Sequence, residues 1–244
     1  SRDMKPLKFE RFFTLDLCNF LAVPFPNKCK FDDTECLTKT AQAFLPQFVV
    51  GMPELGVEVL DPLFIKRIDA STAGLKLIAN DVTILGFKGT QLKQIKFDKT
   101  FKTLKIKLLV DLHLSGQHDT SGNILLVPIV GKGPLFVTLR KIEVTVYVNV
   151  SRVKEGDKTY FRAEFKDFSY ILKDKADVIF DNLFEGNEVL ASATKEMLHQ
   201  SANQVVLGIG SPFVKAVIDA IIVRINEFLK SFELVAVDSG IYRI

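Results

Sequence analysis

A chain of 244 residues, 48% apolar, with 21 Phe and no Trp, carries enough apolar material for a large core, which excludes disorder. Charged residues make up 25% and the net charge is +3, too small to argue for nucleic acid as a partner. Lys102, Lys105 and Lys107 alternate with apolar residues instead of forming a patch, as the wet side of a strand does.

Residues 1–26 read as a lead-in to a single domain over 27–244. Met4 to Val23 carries basic residues and then Phe12, Phe13, Leu15 and Leu17. Asp16 and Asn19 interrupt that run, and no clean small-residue cleavage site follows. Either the sequence starts after processing or the lead-in is an ordered apolar segment. Cys29 and Cys36 flank a polar turn. A disulfide there would close a short loop and pin a helix start; two reduced thiols in a cytosolic protein are the other reading. No His or second Cys pair lies at ligand spacing, so no metal site is expected, and Cys18 is left over.

Thr34 to Val50 predicts a helix capped by Thr34, with Leu37, Ala41, Phe44 and Phe48 on one face. Pro46 predicts a kink or split in it, and Gly51 its end. From Val57 to Phe180 the pattern is strand-like. Leu104, Ile106, Leu108, Val110, Leu112 and Leu114 alternate with mostly polar residues, giving one dry and one wet face. In three strands the apolar parity slips by one residue, at Asn80–Asp81, Arg140–Lys141 and Lys166–Asp167. A slip would turn the dry face outward unless a β-bulge absorbs the extra residue and bends the strand. Lys154 to Asp157 reads as a hairpin turn, and Gly116 to Gly122 and Gly131 to Gly133 as further loops.

The last quarter is helical. Asn187 can cap a helix, and Ser211–Pro212 after Gly208 and Gly210 predicts a sharp kink or restart. Phe213 to Phe232 is apolar nearly all round and must be covered on most sides. It holds Lys215, Asp219 and Arg224, too much charge for a membrane span of about 20 residues, so no transmembrane segment is expected. Long bent strands and one long buried helix together predict an α+β fold, a strongly curved antiparallel sheet wrapped around the C-terminal helix.

Catalytic signals are poor. His118, Asp119 and Ser121 are neighbours in one segment, which rarely makes a triad, and no nucleophile-elbow or phosphate-loop spacing occurs. No catalytic residues and no cofactor are expected. Asn149-Val150-Ser151 is a glycosylation sequon on the outward parity of its strand, usable only in a secreted protein. The apolar interior is either a packed core or, if the sheet cannot fill the space around its helix, a hydrophobic tunnel.

The run Cys29-Lys30, Asp33, Cys36-Leu37, then Gly51-Met52-Pro53-Glu54-Leu55-Gly56 and Leu60-Asp61-Pro62-Leu63, resembles the opening of insect takeout and juvenile-hormone-binding proteins. Phe180-Asp181-Asn182-Leu183-Phe184-Glu185-Gly186-Asn187 resembles that family's strand-to-helix junction. The resemblance implies the tubular lipid-binding architecture with an internal hydrophobic tunnel, a Cys29–Cys36 disulfide, and secretion into haemolymph or another extracellular fluid. Juvenile-hormone carriers proper have a second disulfide in their C-terminal half. This chain has no cysteine after Cys36, so it is more takeout-like.

The function so implied is a carrier of a small hydrophobic ligand, an isoprenoid such as juvenile hormone or a long-chain fatty-acyl lipid. A receptor or membrane surface for delivery is a further implied partner. Parity nominates as tunnel wall Phe44, Phe48, Leu108, Val110, Val137, Leu139, Val144, Val146, Phe165, Phe168, Tyr170, Phe184, Val206, Phe213 and Val217. Tyr170 is the candidate hydroxyl to orient a ligand head group. The competing readings are a lipid hydrolase or isomerase with an unseen catalytic pair, and an interaction protein with a dry core.

Overall fold

The computed structural model describes residues 29–232, 235–236 and 242–243. The readings of residues 1–26 and of Cys18 lie outside the described residues. Cys29 and Cys36 are joined in a disulfide at the start of α1 (Thr34–Val50). The cap is Asp33 rather than Thr34: its carboxylate accepts a hydrogen bond from the Cys36 N–H at 2.9 Å, while Thr34 already lies in the first turn. Pro46 sits inside α1 without splitting it, and Gly51 ends it at φ 82°.

Seven strands follow in one antiparallel sheet that does not close: β1 (Leu63–Asp69), β2 (Leu75–Leu85), β3 (Gln91–Phe97), β4 (Thr103–Ile124), β5 (Val127–Glu155), β6 (Lys158–Leu172) and β7 (Ala176–Phe180). β4 and β5, of 22 and 29 residues, pair from end to end. On one half β2 flanks β4 and β7 flanks β5, with β1 outside β2; on the other half β3 and β6 take those places. The exchange of partners falls at one crease. Val110 pairs with Ile142 and Leu112 with Leu139, so Asp111 opposes both Arg140 and Lys141. Lys141 takes φ 51° and donates its N–H to Asp111 Oδ1 at 2.6 Å. The ladder also shifts between Asn80 and Thr83 and at Lys166. All three parity slips are therefore bulges, and a fourth, at Lys93 in β3, was not among the expected ones.

The glycine stretches are not loops; they lie inside β4 and β5. There glycine serves close backbone approach: a Cβ on Gly131 would sit 2.5 Å from the Asn182 carbonyl oxygen. The hairpin turn is Leu125–Leu126 instead, both at positive φ (49° and 73°). The expected Lys154–Asp157 turn joins β5 to β6.

The C-terminal helical segment is three helices, α2 (Glu188–Gln200), α3 (Ala202–Ile209) and α4 (Ser211–Lys230), and the expected restart at Ser211–Pro212 is the start of α4. Asn187 caps α2, accepting from the Leu190 N–H at 3.2 Å. α3 and α4 diverge by 62° at Gly210, where Pro212 lacks the N–H that would continue the helix. A last pair, β8 (Val235–Ala236) and β9 (Tyr242–Arg243), is separate from the main sheet.

Helices fasten to sheet edges through side-chain amides. Gln42 of α1 donates to the Thr90 carbonyl at 3.1 Å and accepts from the Leu92 N–H at 2.6 Å. Asn203 of α3 accepts from the Ala176 N–H at 2.8 Å and donates to the Asp174 carbonyl at 3.2 Å. Asn226 of α4 does both to Ala163, at 2.8 and 2.9 Å. Arg224, buried in α4, donates to the Val59 carbonyl at 3.1 Å and to Glu58 Oε2 at 3.0 Å. Such side chains act as a substitute strand for edge groups that otherwise lack partners.

Candidate functional site

The inward rows of β4 and β5, α1 and the α3–α4 segment line a cavity of about 430 Å³. That lies within the range of small-molecule sites, roughly 300–1,000 Å³. It crosses the crease, from Leu77, Ile84 and Phe180 on the β2 half to Leu104, Ile106 and Val148 on the β3 half. β-Strand alternation builds most of this wall, because every second residue of a paired strand faces the same side.

Of the nominated residues, Phe44 and Phe48 of α1 line the cavity. Leu108 and Val110 of β4 line it, as do Val137, Leu139, Val144 and Val146 of β5 and Val206, Phe213 and Val217 of the α3–α4 segment. Phe165, Phe168, Tyr170 and Phe184 are not on the wall. The first three belong to β6, along which α4 packs, and α4 takes the wall there with Val214, Ile218 and Ile221. Phe168 and Tyr170 stack at 6.3 Å, and the Lys215 ammonium lies 4.2 Å from the Phe165 ring centre. Phe184 sits in the single 3₁₀ turn after β7. Tyr170 has a partner in the protein: its hydroxyl donates to the Val206 carbonyl at 2.9 Å, beside the helix break.

Sequence reasoning passed over several wall residues. Leu104, Ile106, Leu112 and Leu114 share the parity row of Leu108 and were legible from it. Ile225 and Phe228 belong to the apolar α4, and Phe228 packs 4.9 Å from Phe44. Thr90 had no such signal. Among the described residues it carries the only polar side chain on the wall, and it is 7% exposed.

Charge stays off the wall. Asp119 faces outward between Lys76 and Lys132, at 2.9 and 3.0 Å, and their hydrogen bonds hold its carboxyl below the usual range. Lys107 does the same for Glu143. His118 points the opposite way from Asp119 and is buried edge-on against Phe180. Its Nε2 lies 2.8 Å from the Asp181 carbonyl, which only accepts, so Nε2 carries the proton and Nδ1 accepts from the Thr120 hydroxyl at 3.0 Å. Successive residues on opposite faces cannot converge, so His118, Asp119 and Ser121 form no triad. Asn149 is exposed on β5, its Oδ1 accepting from the Thr103 hydroxyl at 3.2 Å. Among the described residues no single helix is long and apolar enough to cross a membrane.

The haemolymph juvenile hormone binding protein family, as a sequence profile, matches residues 12–236. Circadian clock-controlled protein daywake of Drosophila melanogaster is 30% identical over 201 residues, 76% of each chain. Juvenile hormone-binding protein of Manduca sexta is 29% identical over 89 residues, 35% of this chain and 39% of that one. Takeout 1 of Epiphyas postvittana, known from a crystal structure, superposes with a TM-score of 0.79 at 28% identity, over 84% of this chain and 96% of that one. The profile spans nearly the whole chain and the fold agrees, so the chain belongs to the haemolymph juvenile hormone binding protein family, as a takeout-like member.

Proposed function

We propose that this protein is a secreted carrier that holds one small hydrophobic molecule, an isoprenoid or a long-chain fatty-acyl lipid, in its interior cavity. Residues 27–244 act as the ligand-binding unit, and the wall residues named above from Phe44 to Val217 make the contacts. One observation carries the reading: an interior cavity whose wall, among the described residues, has a single polar side chain. Such a wall offers apolar burial, about 0.8 kcal/mol per methylene, and almost nothing else. The name of the Manduca relative states juvenile hormone as its ligand, which supports an isoprenoid here. The disulfide supports an oxidising compartment, and Asn149 is where secretion would leave a glycan.

Expression through a eukaryotic secretory route followed by native mass spectrometry tests this reading. The expected result is protein in the medium, with one apolar molecule per chain that is released on denaturation, and a glycan mass that is lost in Asn149→Gln. A ligand at 100 times its Kd adds about 2.7 kcal/mol of stability, so added terpenoids or fatty acids should raise the Tm by roughly 5–10 °C. Protein that emerges empty, with a Tm no apolar compound moves, would overturn it.

A further inference from the structure

Thr90 stands where the wall needs no hydroxyl. Valine has nearly the same shape and would avoid burying a polar group. The Thr90 backbone is already committed: its N–H donates to the Phe87 carbonyl at 3.1 Å, and its carbonyl accepts from Gln42. The side-chain hydroxyl makes no hydrogen bond to any described residue, although the residue is more than nine-tenths buried and lines the cavity. A hydroxyl set on an apolar wall without a protein partner is costly, so a bonded state is favoured. A molecule that fills the cavity is the partner within its reach.

The position is as informative as the chemistry. Thr90 lies between Leu85, which pairs with His113, and Gln91, which pairs with Leu109. It is therefore level with the crease at Asp111, and the apolar wall continues past it on both halves of the sheet. A polar group bonded there has apolar lining to either side.

We propose that Thr90 is a specificity-determining residue that donates a hydrogen bond to an oxygen carried away from the ends of a long apolar ligand, as in an internal ester, ether, ketone or epoxide. This rests on the carrier reading above and names the ligand chemistry that reading leaves open.

Matched probes separate the two. Pentadecane, its mid-chain ketone and its methyl ketone differ only in whether and where an oxygen sits. Their affinities can be read by displacement of a naphthylamine fluorophore, in the wild type, Thr90→Val and Thr90→Ser. The expected result is that the wild type prefers the mid-chain ketone over both other probes by about tenfold. Thr90→Val should erase that preference, and Thr90→Ser should keep it. Binding of all three probes alike in the wild type overturns the proposal while leaving the carrier standing. So does a preference for the methyl ketone, or one that survives Thr90→Val. Binding of none, with no displacement of the fluorophore, overturns the carrier reading and this proposal with it.

Discussion

His118 shows how a single residue can set a pH limit. Burial lowers its pKa below the usual 6.5, against smaller opposing effects from the Asp181 carbonyl and nearby carboxylates. Above pH 6.5 the ring is neutral in folded and unfolded chains alike, and it adds no pH dependence. Below that value the unfolded chain takes up a proton that the folded chain resists, so stability falls with pH until the folded value is reached. The expected outcome is a Tm that declines from about pH 6.5 downward, ahead of the carboxylate losses near pH 4. His118→Gln should flatten that first decline, and an unchanged slope would show that His118 does not cause it. The sequence placed His118 in a loop because glycines surround it. Its burial became visible only once β7 brought the Asp181 carbonyl and Phe180 to it.

At the scale of elements, a pattern with a period was legible and a contact across the chain was not. Three of the four bulges were readable because a bulge leaves its mark in one strand: apolar residues change parity at Asn80, Arg140 and Lys166. The α3–α4 break was readable from Gly210 and Pro212. The Leu125–Leu126 turn was not, since two leucines at positive φ contradict the usual turn chemistry. The amide clasps were invisible as well, because Gln42, Asn203 and Asn226 look like ordinary polar helix positions until a strand edge arrives beside them. Asn226 tests how much a clasp contributes. Removing it leaves both the N–H and the carbonyl of the buried Ala163 without a partner. Asn226→Ala should cost about 1–3 kcal/mol, read as a lower denaturant midpoint at an unchanged slope. Asn226→Asp should be no better, because it keeps the acceptor but sets a carboxylate against the Ala163 carbonyl. Midpoints equal to wild type would mean that the clasp does not hold α4.

For the whole molecule the question is whether the interior is space or packing. The sequence left both open, since parity gives the direction of a side chain and not the room in front of it. Leu108 sits on the wall of the β3 half, opposite Leu92 and Val144 in the ladders. In a filled core Leu108→Trp would overpack and cost about 1–3 kcal/mol. In a cavity of about 430 Å³ the added ring has somewhere to go. We expect a Tm for the empty protein within about 2 °C of wild type, together with at least a tenfold loss of affinity for a long-chain probe. Destabilisation with unaltered binding would favour the packed interior.

The clasped edges also bear on how the protein behaves among its own copies. An open sheet built on strands of 22 and 29 residues presents long rows of backbone donors and acceptors, and unpaired rows recruit strands from other chains. Gln42, Asn203 and Asn226 each occupy part of such a row on β3, β7 and β6. β1, which has no amide clasp among the described residues, carries Lys66, Arg67 and Asp69, charges that discourage a neighbouring strand. The same three amides that hold the helices in place therefore act as guards against self-association. A chain that loses one should turn cloudy on gentle warming, below its own unfolding midpoint.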